Sequence, residues 1–150
     1  MLLRIRSKTK KSVAAILEQE LDSMINDWQR RANLVPDLTA ILVSDADRAG
    51  HLPKLFDEMV RRLRGDKNTE PPVSMAAGAH GKLRFAQGYS VPMLVEESRI
   101  LEVTTFATLQ RRQGDLDRRK VLPDVVIIAD EADRQLEETV VGFMTARDAA

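Results

Sequence analysis

The sequence predicts an all-α fold, a single domain built as a bundle of five to seven helices. Apolar residues recur at intervals of three and four along most of the chain, which places them on one face of a helix. The alternating pattern typical of a β-strand does not occur over any length, and Pro, Gly and Ser stand where helices begin and end. With 150 residues, of which 43% are hydrophobic and 31% charged, the chain is long enough for one domain with a buried core.

In the first half of the chain the pattern predicts three helices. The first runs from Ser12, a candidate N-cap, to about Asn33. Its apolar positions are Val13, Ile16, Leu17, Leu21, Met24, Ile25 and Trp28. The second covers residues 37–49, and the third begins near Pro53 and ends before Gly65. Residues 65–72 are polar and end in two prolines, which predicts a loop. Residues 1–11 are expected to be disordered, and residues 1–150 to form one helical domain.

In the second half the pattern predicts three more helices. The fourth covers 73–87 and ends at Gly88 in the C′ position. The fifth follows the N-cap Ser90 and runs to about residue 110, and a charged turn surrounds Gly114. The last starts near Pro123 and runs to Arg147. Residues 121–128 are rich in β-branched side chains, but a lone strand would have no partner, so a helix is predicted there too.

Composition excludes several classes of function. The chain has 23 basic and 23 acidic residues, so a nucleic-acid partner is not expected. It has no cysteine, which removes disulfides, thiolate metal sites and cysteine nucleophiles. The longest uncharged stretch, 85–95, is far shorter than the roughly 20 residues of a membrane span. No secretory signal precedes the first helix, and the predicted location is the cytoplasm. No phosphate loop or catalytic triad pattern is found, so the chain is not expected to be an enzyme.

His80 is one of two histidines, and three chemical roles come into question for it: phosphoacceptor, metal ligand and haem ligand. Histidine phosphotransfer domains carry a lysine and a glycine at the third and fourth positions after the histidine, where this chain has Leu83 and Arg84. A metal site would use carboxylates at those same two positions, and His51 would join it only by accident of tertiary structure. A haem ligand has no second signal in the sequence. The favoured interpretation is a structural histidine, with no metal and no cofactor.

Glu97 is the second candidate. It shares a helical stripe with Met93, Ile100, Thr104 and Ala107, which places its carboxylate at or inside the buried face. A buried carboxylate needs a partner, and Arg84 on the preceding helix is predicted to pair with it across the Gly88 turn. Such a pair either senses a ligand or fixes the register of two helices, and the second role is favoured.

These residues carry a resemblance to a known family. The run from His80 through Arg84, Gly88-Tyr89-Ser90, Leu94, Glu97 and Leu101, with Trp28 in the first helix, resembles the RsbT co-antagonist (RsbRD-type) N-terminal domain family. The resemblance implies a non-catalytic, globin-like helical domain without haem. It also implies a homodimer at the N-terminus of a bacterial stress-signalling protein or sensor histidine kinase, with a protein partner or effector domain downstream.

Together these observations predict a signal-transduction domain whose last helix transmits the signal. Val126, Ile127, Val141 and Met144 lie off the main stripe of that helix and are predicted to form a dimer seam. Two alternatives remain: a phosphotransfer protein that uses His80, and a haem or bilin sensor.

Overall fold

The computed structural model describes residues 9–150 and confirms an all-α single domain. Within that range the helices are α1 (Val13–Gln19), α2 (Leu21–Ala32), α3 (Pro36–Thr39), α4 (Asp45–Ala49), α5 (Leu52–Arg64), α6 (Met75–Ala86), α7 (Val91–Arg111) and α8 (Arg118–Ala149). A short 3-10 turn, Gln113–Asp115, joins α7 to α8. None of the described helices is both long enough and apolar enough to cross a membrane.

α1 and α2 together occupy the range predicted for one helix. Ser12 is the N-cap, and its Oγ accepts a hydrogen bond from the N–H of Ala15 at 3.1 Å. Glu20 alone interrupts the helix, although its N–H still donates to the carbonyl of Ile16. Counted as one bent helix, α1 and α2 bring the described part of the chain to seven helices.

The helix predicted over residues 37–49 is wrong, because α3 and α4 are separate and residues 40–44 lie between them. Ser44 adopts an extended conformation, and its side chain caps α4 by accepting from the N–H of Asp47. Leu42, one of the apolar residues within the predicted range 37–49, lies outside both helices and is 96% exposed. The local cap at Ser44 therefore outweighs the apolar spacing.

The start predicted for the last helix is also wrong, by about one turn. Asp117 is the N-cap of α8, and its carboxylate accepts from the N–H of Arg119 at 3.1 Å. Pro123 consequently lies inside the helix, near its first turn. Residues 121–128 are helical, as predicted.

Two close contacts between α6 and α8 form the centre of the bundle. A Cβ atom added to Gly81 would lie 1.9 Å from the carbonyl oxygen of Thr139. A Cβ atom added to Gly142 would lie 2.1 Å from the carbonyl oxygen of Gly78. The two backbones therefore touch where both helices carry glycine. This contact holds the inner face of α6, with His80 and Arg84, against the middle of the domain.

The start of the described chain is attached to the α7–α8 connection. The backbone N–H of Lys11 donates to the backbone carbonyl of Asp115 at 2.7 Å, and the Lys10 side chain donates to the carbonyl of Gly114. These two lysines fall within the segment that was expected to be disordered, whereas residues 1–8 lie outside the described residues. The loop predicted at 65–72 does connect α5 to α6.

Candidate functional site

The Gly88 turn fixes the angle between α6 and α7. Gly88 has a φ of +90°, a left-handed conformation that favours glycine. The backbone N–H of Tyr89 donates to the carbonyl oxygen of Arg84 at 3.0 Å. The backbone N–H of Gly88 donates to the carbonyl oxygen of Phe85 at 3.1 Å. This pair of bonds is the Schellman ending of a helix, and it confirms the C′ position predicted for Gly88.

Glu97 on α7 accepts three hydrogen bonds below this turn. Arg84 Nε and Nη2 donate to its two carboxylate oxygens at 2.9 and 3.0 Å, and the Tyr89 hydroxyl donates at 3.1 Å. The side chains of Arg84 and Glu97 are 0% and 4% exposed. The predicted ion pair is therefore present, bidentate and fully buried.

Arg84 and Glu97 also connect elements that are distant in sequence. The remaining donors of Arg84 reach the carbonyl of Arg48 at 2.5 Å and the Gln87 side chain at 2.7 Å. Its guanidinium also lies over the ring of Tyr89, 4.5 Å from the centroid. Through these contacts, α4, α6 and α7 are tied to one side chain.

Two further residues of the family-like motif lie beside this pair. The indole N–H of Trp28 donates to the backbone carbonyl of Glu97 at 3.3 Å, so α2 is held against α7. Leu94, 2% exposed, lines a cavity of about 30 Å³ next to His80. The fold thus brings together all seven residues that the sequence singled out.

The structure adds His51, which was expected to approach His80 only by accident. The two imidazoles are stacked with centroids 3.7 Å apart and planes 10° from parallel. Trp28 meets the ring of His51 edge-on at 5.5 Å, and His80 Nε2 lies 3.6 Å from Glu97 Oε1. His51 Nδ1 is buried and has no hydrogen-bond partner among the described residues.

Burial decides the protonation of this cluster. It lowers the pKa of His51 well below the ordinary value, and the neighbouring His80 and Arg84 lower it further. Burial also lowers the pKa of His80, although Glu97 opposes the shift. Burial and the Glu97 carboxylate raise the pKa of Tyr89 to about 12. Both histidines are therefore neutral at pH 7.

The cluster contains the atoms of a metal site but not its geometry. Ligand atoms of His51, His80 and Glu97 all lie within 4.8 Å of one another. A metal ion lies in the plane of each imidazole that binds it, about 2.0 Å from the nitrogen. Two parallel rings stacked 3.7 Å apart cannot both meet that condition, and Glu97 is already paired with Arg84. Metal binding would require the stack to open.

The same burial argues against the two alternatives for His80. Its side chain is 6% exposed, so a phosphoryl donor cannot approach its nitrogens without displacing neighbouring side chains. The adjacent cavity of about 30 Å³ has room for roughly one or two water molecules. A haem or bilin does not fit there.

We expect the domain to lose stability as the pH falls below about 6.5. Unfolded histidine binds a proton near that pH, whereas folded His51 and His80 have lowered pKa values and remain neutral. Stability is therefore fully present above pH 6.5 and is lost below it, by up to about 1.4 kcal/mol per pH unit for each histidine. Urea unfolding from pH 5 to 8 measures this.

The His51→Phe variant is the comparison for that experiment, because it keeps an aromatic ring and removes one titrating group. Other groups titrate in both proteins, so the difference between the two curves isolates His51. The native chain should lose more stability than the variant between pH 6.5 and 5. Equal losses of stability in the native chain and the variant would contradict the lowered pKa of folded His51.

No protein-family model, curated protein or solved structure matches this chain. The family resemblance therefore stays a prediction.

Proposed function

We propose that this chain is a non-catalytic regulatory domain of bacterial signal transduction, which acts by binding a protein partner and by forming a homodimer through α8. One observation carries the proposal: the outer face of α8, defined as Leu122, Val126, Val141 and Met144, is apolar and exposed. These side chains are 71%, 62%, 52% and 38% exposed. At 100° per residue they fall within an arc of about 100° on one side of the helix.

Apolar side chains at both ends of the outer face of a long surface helix support association with a second helix. α8 has 32 residues and spans roughly 48 Å, and its opposite side contacts α6. Full burial of an exposed aliphatic side chain contributes about 1.5–3 kcal/mol, so covering the exposed parts of these four side chains on each copy favours association. Ile127, predicted as part of the seam, is half-buried against the core instead.

Asp133 and Glu137 lie between the two apolar ends of the outer face, and both are exposed. In a symmetric dimer these acids of the two copies would lie near one another and repel. The two ends of the helix would then supply the attraction, and the dimer should tighten as salt screens the acids.

The hydrogen-bonded group of Arg84, Tyr89 and Glu97 beside His80 supports a non-catalytic role. Arg84 and Tyr89 take up the Glu97 carboxylate, and the His80 side chain is buried. A domain whose motif residues hold helices together suits the role that the family resemblance implies. In that role the domain is the globin-like, cytoplasmic input module of a stress-response regulator or a sensor histidine kinase.

Sedimentation velocity at micromolar concentration tests the dimer. The sedimentation coefficient of the native chain should correspond to a dimer, with twice the 16.9 kDa mass of one chain. The Val126→Glu variant should sediment as a monomer. Leu42→Glu is the matched control, because Leu42 is 96% exposed and lies on the α3–α4 connection rather than on α8. A native monomer, or equal effects of the two substitutions, would contradict the proposal.

A further inference from the structure

Arg62 on α5 and Glu131 on α8 face one another inside the domain without a hydrogen bond between them. Their side chains are 21% and 7% exposed. Arg62 Nη1 and Glu131 Oε2 are both buried, and neither has a hydrogen-bond partner among the described residues. The two atoms lie 4.0 Å apart, which is too far for a direct hydrogen bond. The two side chains are therefore positioned to pair, but the pair is open.

Arg62 binds Asp130 instead, the residue before Glu131. Its Nη2 donates to Asp130 Oδ2, and the Asp130 side chain is 49% exposed. A charge-assisted bond from nitrogen to a carboxylate oxygen is about 2.7–2.9 Å long, so Arg62 Nη1 has to move by roughly 1 Å to bind Glu131. The guanidinium thus lies between two carboxylates, of which one is half-exposed and the other is buried.

Burial keeps a proton on Glu131 up to neutral pH. It raises the pKa of this carboxyl to about 7, and the nearby acids Glu58 and Asp130 raise it further, whereas Arg62 and Arg134 oppose the shift. These four charged groups face Glu131 from α5 and from its own helix. Near pH 7 the protonated and the ionised forms are therefore both populated.

The two forms of Glu131 require different neighbours. The protonated form is neutral and leaves Arg62 with Asp130. The ionised form is a buried charge, which is costly unless it is paired, and Arg62 Nη1 is the buried donor that faces it. On the α5 side Glu58 is an acid as well, and it accepts from the Ser74 hydroxyl at 2.6 Å. Loss of the proton therefore draws Arg62 towards Glu131.

A chain of ion pairs connects Arg62 to the surface. Asp130 Oδ2 also accepts from Arg134 Nε at 3.1 Å, and Arg134 Nη2 donates to Glu70 at 3.1 Å. Glu70 lies in the 65–74 loop, which joins α5 to α6. If Arg62 turns away, Asp130 attracts Arg134 more strongly, and Arg134 holds the loop less firmly.

We propose that the proton on Glu131 is a pH-dependent switch, which determines whether Arg62 binds Asp130 or Glu131. As the pH rises through neutrality, Glu131 ionises and takes Arg62, and Arg134 passes the change to the 65–74 loop. A fall in pH restores the first arrangement. The switch does not depend on the proposed dimer, because all of its groups belong to one chain.

Carboxyl-resolved ¹³C NMR of the full chain between pH 6 and 8.5 tests the switch. The Glu131 carboxyl signal should titrate with a midpoint of about 7. Asp130 stays ionised in this range, because Arg62 and Arg134 lower its pKa. Its carboxyl signal should nevertheless shift with the same midpoint, since it loses Arg62. The carboxyl of Glu137, exposed on the same helix, should show no such shift.

The backbone amides of residues 66–70 report on the loop, and they should follow the same midpoint. Glu131→Gln is neutral at every pH and should abolish this transition at Asp130 and in the loop, whereas Glu137→Gln should leave it unchanged. Arg62→Met removes a cation that opposes the shift, so the Glu131 midpoint should rise, and the loop amides should no longer follow it.

The stability of the native chain relative to Glu131→Gln gives an independent readout, and both proteins carry the same histidines. Folded Glu131 keeps a proton that the unfolded chain releases near the ordinary pKa of 4.5. Its contribution to stability is therefore complete below pH 4.5 and is lost as the pH rises to about 7. The unfolding constant of the native chain should rise relative to that of the variant by up to about tenfold per pH unit in this range, and the ratio should be constant above it.

The native titration alone can overturn the proposal, so the test does not require that any variant folds. It is overturned if Glu131 titrates in the ordinary range of a glutamate, or if the Asp130 carboxyl and the loop amides do not follow Glu131. A transition near pH 7 that persists at Asp130 in Glu131→Gln would overturn it as well. Circular dichroism at each pH confirms that the proteins compared are folded.

Discussion

Replacement of Arg84 by methionine should lower the free energy of unfolding by about 3–5 kcal/mol, the cost of leaving a buried charge without its partner. The variant keeps a side chain of similar length but leaves the Glu97 carboxylate, 4% exposed, with the Tyr89 hydroxyl as its remaining donor. The carbonyl of Arg48 would lose its donor as well. Chemical unfolding at pH 7.5 measures the loss.

Arg61→Met is the matched control, since Arg61 is also paired, with Asp57 at 2.8 Å, but is 78% exposed. Exposed pairs contribute at most about 1 kcal/mol, so the control should lose little stability. Adding Glu97→Leu to Arg84→Met should recover part of the loss, because the stranded charge is then removed. A loss in Arg84→Met no larger than in the control would show that the buried pair does not hold α6 to α7.

Gly81→Ala should destabilise the domain by about 3 kcal/mol, although alanine is the better helix former by about 1 kcal/mol. The added Cβ would lie 1.9 Å from the carbonyl oxygen of Thr139 and 2.8 Å from the backbone nitrogen of Phe143. Backbone atoms of α8 cannot move aside as a side chain can, so the two helices must separate. Thermal unfolding measures the effect.

Gly78→Ala provides the comparison on the same helix. Its Cβ would meet only the carbonyl oxygen of Glu138, at 4.0 Å, which is ordinary contact. This variant should be unchanged or gain up to about 1 kcal/mol from the better helix former. If both substitutions stabilise the domain, the close contact of α6 and α8 is not present in solution.

Local signals in the sequence were sufficient for part of the site. The Gly88 turn, the Arg84–Glu97 pair and the burial of Glu97 depend on residues fewer than 20 positions apart, joined by one turn. Helical spacing and the chemistry of glycine determine such a unit, and the structure confirms it.

Long-range contacts were not predictable from the same patterns. His51 stacks on His80 from a helix start 29 positions earlier, and its residue type carries no periodicity that indicates this. The glycines of α6 and α8 could be recognised in the sequence, but not that Gly81 faces Thr139. A cavity of about 710 Å³ between α5, α8 and the 65–74 loop likewise depends on the path of that loop.

The errors in helix boundaries have one physical cause. At Ser44 and Asp117 a side-chain cap starts a helix at a place that the apolar spacing and the prolines do not mark. A single hydrogen bond to a free N–H is local, whereas periodicity is averaged over several turns, so the cap decides the first residue of the helix.

Disulfide cross-linking measures the dimer on α8 most directly, because the native chain has no cysteine to interfere. Val126→Cys, Val141→Cys and their equimolar mixture are oxidised at micromolar concentration, with Leu42→Cys as the control. Disulfides form when Cα atoms approach to about 4.4–6.8 Å, as they do across paired helices. If α8 forms the dimer, covalent dimers appear with the cysteines on its outer face and only at background level with Leu42→Cys. Cross-linking of the outer face no greater than that of the control would contradict the proposed function.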